Sequence, residues 1–121
     1  HMSSSITGQK REGATTLQTI AQAFPPGSMT GAPKISAMRL LTELEQDARS
    51  VYSGALGWLG GDGSAELSVV IRTLLLHGNQ FEFQVGGGIV ADSTPEKELL
   101  ETVDKAKGIL KALNLSPENI P

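Results

Sequence analysis

A proline- and glycine-rich segment at residues 24–34 sets the main limit on how this chain can fold. It contains three prolines and two glycines, which interrupt both helices and strand ladders. Helices are therefore predicted on either side, over residues 15–23 and about 33–45, where apolar side chains recur at helical spacing. The turn over residues 30–34 places free backbone N–H groups before the second helix. Such a turn suits a carboxylate or phosphate, although an ordinary capped loop is the simpler explanation.

The middle of the chain predicts β-structure. Nine of the 14 glycines lie between Gly54 and Gly88, and they bound predicted strands at residues 52–59, 66–76 and 80–85. The last two strands form a hairpin around a turn at residues 77–79. A long helix is predicted over residues 95–113, where Ser93 or Thr94 can cap the first turn and Glu96 can complete a capping box with Ser93. The order α-α-β-β-β-α indicates an α+β fold, with antiparallel strands and flanking helices.

Length and composition limit the organisation and the partners. The chain has 121 residues, a formal charge of -3 and no cysteine. It therefore predicts a single domain without disulfides or thiolate chemistry, and neither nucleic acid nor a membrane as a partner. No apolar run approaches the roughly 20 residues that span a bilayer, so we expect a soluble, cytoplasmic protein. Residues 1–14 indicate a tag remnant (His1-Met2) and a flexible arm, residues 15–115 the folded part, and residues 116–121 a tail.

Arg72 is predicted on a mostly apolar face of its strand, together with Ser68, Val70 and Leu74. A guanidinium there must be solvated, paired with a carboxylate such as Glu66, or bound to an anion through two N–H groups. The sequence alone leaves these possibilities open, and Glu82 is the other carboxylate within reach.

Three consecutive glycines, Gly86, Gly87 and Gly88, end the last predicted strand. They are not a dinucleotide-binding motif, because the G-x-G-x-x-G order is missing. They would let a ligand approach the backbone closely, but a flexible or bulged strand exit explains them equally well. Tyr52 lies on the same predicted strand side as Trp58, and the ordinary interpretation is that both fill the core.

Two carboxylates, Glu98 and Glu101, lie three residues apart near the start of the last helix and so share one face. This pair could bind Mg²⁺ directly or through water, since that ion takes oxygen ligands and retains several waters. A solvated helix face, with Glu101 paired to Lys105 four residues on, explains the spacing more simply.

Several blocks of the sequence, taken together, resemble the chorismate-utilising enzymes. In chain order they are Pro26-Gly27-Ser28-Met29-Thr30-Gly31-Ala32-Pro33-Lys34, Ala37-Met38, Glu43-Leu44-Glu45, Tyr52-Ser53-Gly54-Ala55-Leu56-Gly57, Ile71-Arg72-Thr73, Gly86-Gly87-Gly88-Ile89-Val90-Ala91-Asp92-Ser93 and Glu98-Leu99-Leu100-Glu101-Thr102. They follow the family's order from about residue 24 to residue 113. Within the family the chain is most similar to the C-terminal part of aminodeoxychorismate synthase component I, with anthranilate synthase component I close behind.

The resemblance implies a role for each matching residue. Arg72 corresponds to an arginine that binds a chorismate carboxylate, and Tyr52 to an aromatic residue beside the substrate. Gly86, Gly87 and Gly88 correspond to a strand end whose backbone contacts chorismate, and Thr30 to a loop at the edge of the pocket. Glu101, with Glu98 beside it, corresponds to a Mg²⁺ ligand, and the ion would neutralise a chorismate carboxylate.

The resemblance also implies what this chain lacks. Family enzymes are several hundred residues long, and their catalytic lysine or general acid lies upstream of every residue of this chain. We therefore expect a C-terminal fragment without turnover. Its parent would aminate chorismate to 4-amino-4-deoxychorismate for folate biosynthesis, using ammonia from a glutamine amidotransferase.

Two alternatives remain at this point. The fragment could come from an anthranilate synthase component I of tryptophan biosynthesis, or the chain could be a free-standing, non-catalytic binding module. An excised fragment would expose strand edges and apolar surface, so self-association is expected of it.

Overall fold

The computed structural model describes residues 4–116 and residue 118, so the predicted His1-Met2 remnant and most of the predicted tail lie outside the described residues. The helices are α1 (Thr16–Ala23), α2 (Gly27–Thr30), α3 (Lys34–Leu44) and α4 (Pro95–Ala112), and the strands are β1 (Ala55–Leu59), β2 (Ala65–Val69), β3 (Leu74–His77) and β4 (Gln80–Phe83). The predicted α+β class is confirmed. No helix within the described ranges is long and apolar enough to cross a membrane.

The proline-rich segment ends α1, as predicted, but it is not wholly irregular. Thr15 and Gln18 form a capping box that starts α1, and the chain turns into extended backbone before the prolines. One helical turn, α2, then forms where the sequence predicted only an interruption. Lys34, the first residue of α3, donates from Nζ to the carbonyls of Gln22 and Ala23, at 3.4 Å each. The segment is thereby fixed against the end of α1.

The predicted strand over residues 66–76 is wrong as a single element, because the chain breaks it into β2 and β3. The β1–β2 ladder extends as far as Val70, whose N–H donates to the Gly54 carbonyl. The next residues turn sharply, and Arg72 has a left-handed φ of +51°. The alternation of side chains predicted that Arg72 shares a strand face with Ser68, Val70 and Leu74. That prediction is wrong, because Arg72 lies in this turn.

The predicted hairpin around residues 77–79 is confirmed. Strands β3 and β4 pair antiparallel, with Leu74 opposite Phe83 and His77 opposite Gln80. Gly78 occupies the turn at a φ of +62°, a conformation that glycine adopts without steric cost. The two hairpins form separate two-stranded sheets instead of one continuous sheet.

The core is small and much apolar surface is uncovered. Val70, Ala106 and Leu110 are the buried apolar residues among those described. The prediction that Trp58 fills the core is wrong, because half of this residue is exposed. The accessible surface is 10231 Å², whereas a compact monomer of this mass exposes about 6,200 Å². The fold therefore leaves large faces that a partner could cover.

Candidate functional site

A cavity of about 390 Å³ brings together most of the residues singled out in the sequence. Tyr52, Arg72 and residues 86–88 line it, with Lys105 from α4 on one side. The lining also includes Ser28, Met29, Leu41, Glu45 and Arg49. Distant segments therefore converge on one concave surface, where apolar and charged groups are mixed as in a small-molecule site.

Arg72 is the cation in this cavity that is free to bind a ligand. Neither Glu66 nor Glu82 pairs with it, and within residues 4–116 and 118 its side chain has no ion pair. The other two cations lining the cavity, Arg49 and Lys105, are each paired with a glutamate. Arg72 also holds a left-handed backbone conformation, which costs free energy for a residue with a Cβ. An exposed, unpaired guanidinium on such a turn suits a carboxylate ligand.

Two of the three glycines are close to neighbouring side chains, and none is required by backbone conformation. None of them has a positive φ. A Cβ at Gly86 would lie 3.2 Å from the Tyr52 hydroxyl, and a Cβ at Gly87 would lie 2.6 Å from Glu98 Oε2. The segment thus passes between a phenol and a carboxylate, whereas Gly88 faces open space.

Only one of the two carboxylate oxygens of Glu98 is hydrogen-bonded within the described residues. Ser93 Oγ donates to Glu98 Oε1 and accepts the N–H of Val90 at 3.0 Å. The predicted capping box with Ser93 therefore does not form, and Thr94 occupies the cap position of α4 without a side-chain bond. Glu98 Oε2 is buried and has no hydrogen-bond partner in the described part of the chain. A buried, unsatisfied carboxylate oxygen is rare and fits a cation or a donor from a ligand.

Glu101 makes the simple pair that its spacing predicted, and its partner extends the site. Lys105 Nζ lies 2.6 Å from Glu101 Oε1 and donates to the Gly86 carbonyl at 3.0 Å. Lys105 thus links α4 to the glycine segment, a role that sequence reasoning missed. The Glu101 carboxylate itself faces an adjoining cavity of about 640 Å³, which it lines together with Arg72 and Lys105.

Thr30 lies apart from these residues. Its hydroxyl donates to the Pro26 carbonyl at 3.3 Å, and its side chain lines a separate cavity of about 410 Å³ beyond Arg49. Ser28 and Met29 line the main cavity in its place. The predicted turn at residues 30–34 does precede a helix, but no side chain caps the start of α3.

Arg49 was also missed and is the most connected side chain of the cavity wall. Its guanidinium forms a two-point ion pair with Glu45. This hydrogen-bonded pair holds the pKa of the Glu45 carboxyl below its ordinary value and raises the pKa of Arg49. The only sequence signal for it is the spacing of four between the two residues.

A comparison with protein families matches residues 1–111 to the chorismate binding enzymes. The match covers every residue of the cavity described above.

Three similar proteins share one name. The chain is 40% identical over 119 residues to "Anthranilate synthase component 1" of Aquifex aeolicus, which covers 98% of this chain and 24% of that protein. It is 43% identical over 115 residues to the protein of the same name from Thermococcus kodakarensis, covering 95% and 27%, respectively. For Streptomyces coelicolor the values are 42% over 113 residues, covering 93% and 22%. The chain therefore spans about a quarter of the length of these relatives.

Proposed function

The chain belongs to the chorismate-binding enzyme family, and from this premise we propose that it carries part of the chorismate site of an enzyme that aminates chorismate. The observation that carries the proposal is the position of Arg72, an unpaired guanidinium facing the same cavity as Tyr52 and residues 86–88. Chorismate is a dianion with two carboxylates, and an arginine fork binds a carboxylate through two parallel hydrogen bonds.

Each remaining group has a defined part in this binding. The Tyr52 ring forms an aromatic part of the cavity wall, and its hydroxyl lies next to Gly86. Gly86, Gly87 and Gly88 let a flat, oxygen-rich ligand lie against the backbone, because no Cβ keeps it away. Lys105 orients the Gly86 carbonyl, while its charge is paired with Glu101. These groups bind and orient; we assign no catalytic residue to this chain.

Glu98 and Glu101 are the residues that would hold Mg²⁺. The fit rests on the orphaned oxygen of Glu98 and on the donor set, since Mg²⁺ is often bound by one or two carboxylates and completes its shell with water and substrate oxygens. No group of three or more metal-ligating side chains occurs among the described residues, so any further ligands would come from water and substrate. When bound, the ion would neutralise a carboxylate of the substrate.

We expect Glu98→Gln and Glu101→Gln each to weaken Mg²⁺ binding by about tenfold, a typical cost of altering a residue at a metal site. Isothermal titration of the chain with MgCl₂, in the presence of chorismate, measures this. Glu96→Gln is the matched control, because it removes the same charge from the first turn of the same helix. Equal affinity in all three variants would contradict the assignment.

Binding and turnover are tested separately. We expect saturable binding of chorismate in a calorimetric titration, and much weaker binding of benzoate, which has a single carboxylate. Incubation with ammonium ions and Mg²⁺ is expected to leave chorismate unconsumed, because this chain supplies only part of a site. Chorismate consumption that disappears in Glu101→Ala would overturn the half-site interpretation.

Two products remain open for the parent enzyme. The block at residues 27–34 favours 4-amino-4-deoxychorismate, whereas the relatives' names favour anthranilate. In either case the parent would receive ammonia from a glutamine amidotransferase. Incubation of the parent enzyme with chorismate and ammonium ions distinguishes them. Anthranilate would be released as a fluorescent aromatic product, and aminodeoxychorismate would not.

We propose that the isolated chain self-associates, with a second copy covering its exposed apolar faces. Large apolar side chains such as Leu56, Leu76 and Leu99 are mostly exposed, and exposed apolar surface of this kind favours association. Sedimentation velocity over a range of concentrations is expected to show dimers or larger species. A monomer that melts cooperatively at all concentrations would contradict this and favour the alternative function, a free-standing binding module.

A further inference from the structure

We propose that Arg49 is a positioning residue that fixes the wall of the cavity and, through it, the side chain of Tyr52. This role deepens the proposed function. It rests on that function in one respect, namely that Tyr52 contacts bound chorismate. Arg49 itself would not bind chorismate, since its donors are already committed within the chain.

The Arg49 guanidinium donates four hydrogen bonds to other groups of the chain. Nε donates to Glu45 Oε2 at 2.7 Å and Nη2 to Glu45 Oε1 at 2.5 Å. Nη1 donates to the Met29 carbonyl at 3.0 Å and to Ser53 Oγ at 3.2 Å. A guanidinium has five N–H donors, so one is left. The planar fork therefore acts as a rigid connector rather than as a ligand-binding group.

The partners of Arg49 lie in three separate segments. Met29 belongs to α2, a single helical turn without a side-chain cap. Glu45 directly follows α3, and Ser53 lies in the turn before β1. Met29, Glu45 and Arg49 line the main cavity, so the guanidinium sets the distance between its helical wall and the turn that carries Tyr52.

The turn at Ser53 is held by several backbone hydrogen bonds and by one side chain, that of Arg49. Ser53 has a left-handed φ of +65° and is the buried polar residue among those described. Its backbone N–H is bonded to the Val70 carbonyl, and its hydroxyl is held by Arg49. The Arg49 guanidinium also lies 6.0 Å from the centre of the Tyr52 ring, within range of a cation–π attraction. Both the turn and the ring are thus tied to one side chain.

Loss of Arg49 is therefore expected to release Tyr52 from its place beside Gly86 without removing any ligand contact made by Arg72. A lysine at this position would keep the charge near the ring, but it cannot form the two-point pair with Glu45 while also reaching Met29 and Ser53. The consequence is a wider, less defined cavity and weaker binding of chorismate.

The test uses the fact that this chain has a single tyrosine. With ¹³C-labelled tyrosine, the ring signals in a ¹H–¹³C spectrum report on Tyr52 alone. We expect Arg49→Gln to move these signals towards those of a free tyrosine, and Arg49→Lys to give an intermediate position. Glu45→Gln, which leaves the arginine in place, should cause a smaller shift in the same direction. Lys107→Gln, which breaks an exposed ion pair on α4, is the control and should cause none.

A chorismate titration of the same samples separates the two claims. Arg49→Gln is expected to weaken binding by about tenfold, with the backbone amide signals of β3 and β4 unchanged to show that the chain is folded. Unchanged Tyr52 signals in both Arg49→Gln and Glu45→Gln would overturn the positioning role. Absence of binding to the unaltered chain, with Tyr52 signals that still move in the variants, would instead overturn the proposed function and leave Arg49 holding Tyr52.

Discussion

Replacing Arg72 with asparagine is expected to lower the affinity of this chain for chorismate by about tenfold to a hundredfold, since hydrogen bonds to a charged group contribute about 1.5–3 kcal/mol. Asparagine removes the positive charge and the fork, yet it tolerates the left-handed backbone that Arg72 adopts at a φ of +51°. The melting temperature should therefore stay close to that of the unaltered chain. Calorimetric titration with chorismate, together with a thermal melt, measures both effects.

Arg39→Asn is the matched control for this prediction. Arg39 is exposed on α3, so its loss changes the net charge equally without touching the cavity. Arg72→Lys should fall between the two, because lysine keeps the charge but not the planar pair of donors. An affinity that falls equally in the Arg39 and Arg72 variants would show that only net charge attracts the ligand, and it would contradict a specific contact between Arg72 and a chorismate carboxylate.

Replacing Gly57 with alanine is expected to destabilise the chain by about 3 kcal/mol, the upper range for overpacking a closely packed site. Gly57 pairs with Leu67 in the β1–β2 ladder. A Cβ at Gly57 would overlap the Glu66 carbonyl and lie 2.9 Å from the Cα of Leu67. Both neighbours are backbone, so the strands themselves must separate. Because the same hairpin leads into the turn at Arg72, the variant should also lose chorismate binding.

The control for Gly57→Ala is Gly61→Ala, in the turn between the same two strands. A Cβ at Gly61 meets nothing within 4 Å, and its φ is not positive. Alanine there should be neutral or slightly stabilising, because it restricts the unfolded chain. Urea unfolding of both variants, followed by circular dichroism, measures the difference. Equal free energies of unfolding would contradict the close approach of β1 and β2.

Local signals in the sequence were sufficient for several elements. Helix α1, the hairpin at Gly78 and the long helix α4 each follow from turn residues and periodicity within a few positions. These elements form with the predicted order and nearly the predicted bounds. Their common property is that neighbouring residues make the contacts that define them.

The break at Arg72 could not be predicted in the same way. Alternating side chains over residues 66–76 indicate one strand, and arginine carries no local signal for a left-handed backbone. The turn is set instead by bonds between Val70 and the segment at Ser53 and Gly54. Such contacts depend on the tertiary fold, so periodicity alone predicted a continuous strand.

Part of the cavity lining was anticipated from the sequence, but its connections were not. The resemblance pointed to Tyr52, Arg72 and the three glycines, which line one cavity. It did not indicate that Lys105 bonds to the carbonyl of Gly86, 19 positions earlier, or that Arg49 reaches Met29, 20 positions earlier. Hydrogen bonds between residues so far apart in the sequence leave no periodic pattern in it.

The most direct test of the central claim, that this chain carries part of a chorismate site, is a chorismate titration of the ¹⁵N-labelled chain followed by amide resonances. We predict progressive, saturable shifts at Gly86, Gly87 and Gly88 and at the turn around Arg72, with α1 and the β1–β2 turn unaffected. Shifts that are absent at saturating chorismate, or that are confined to residues outside the cavity, would contradict the claim.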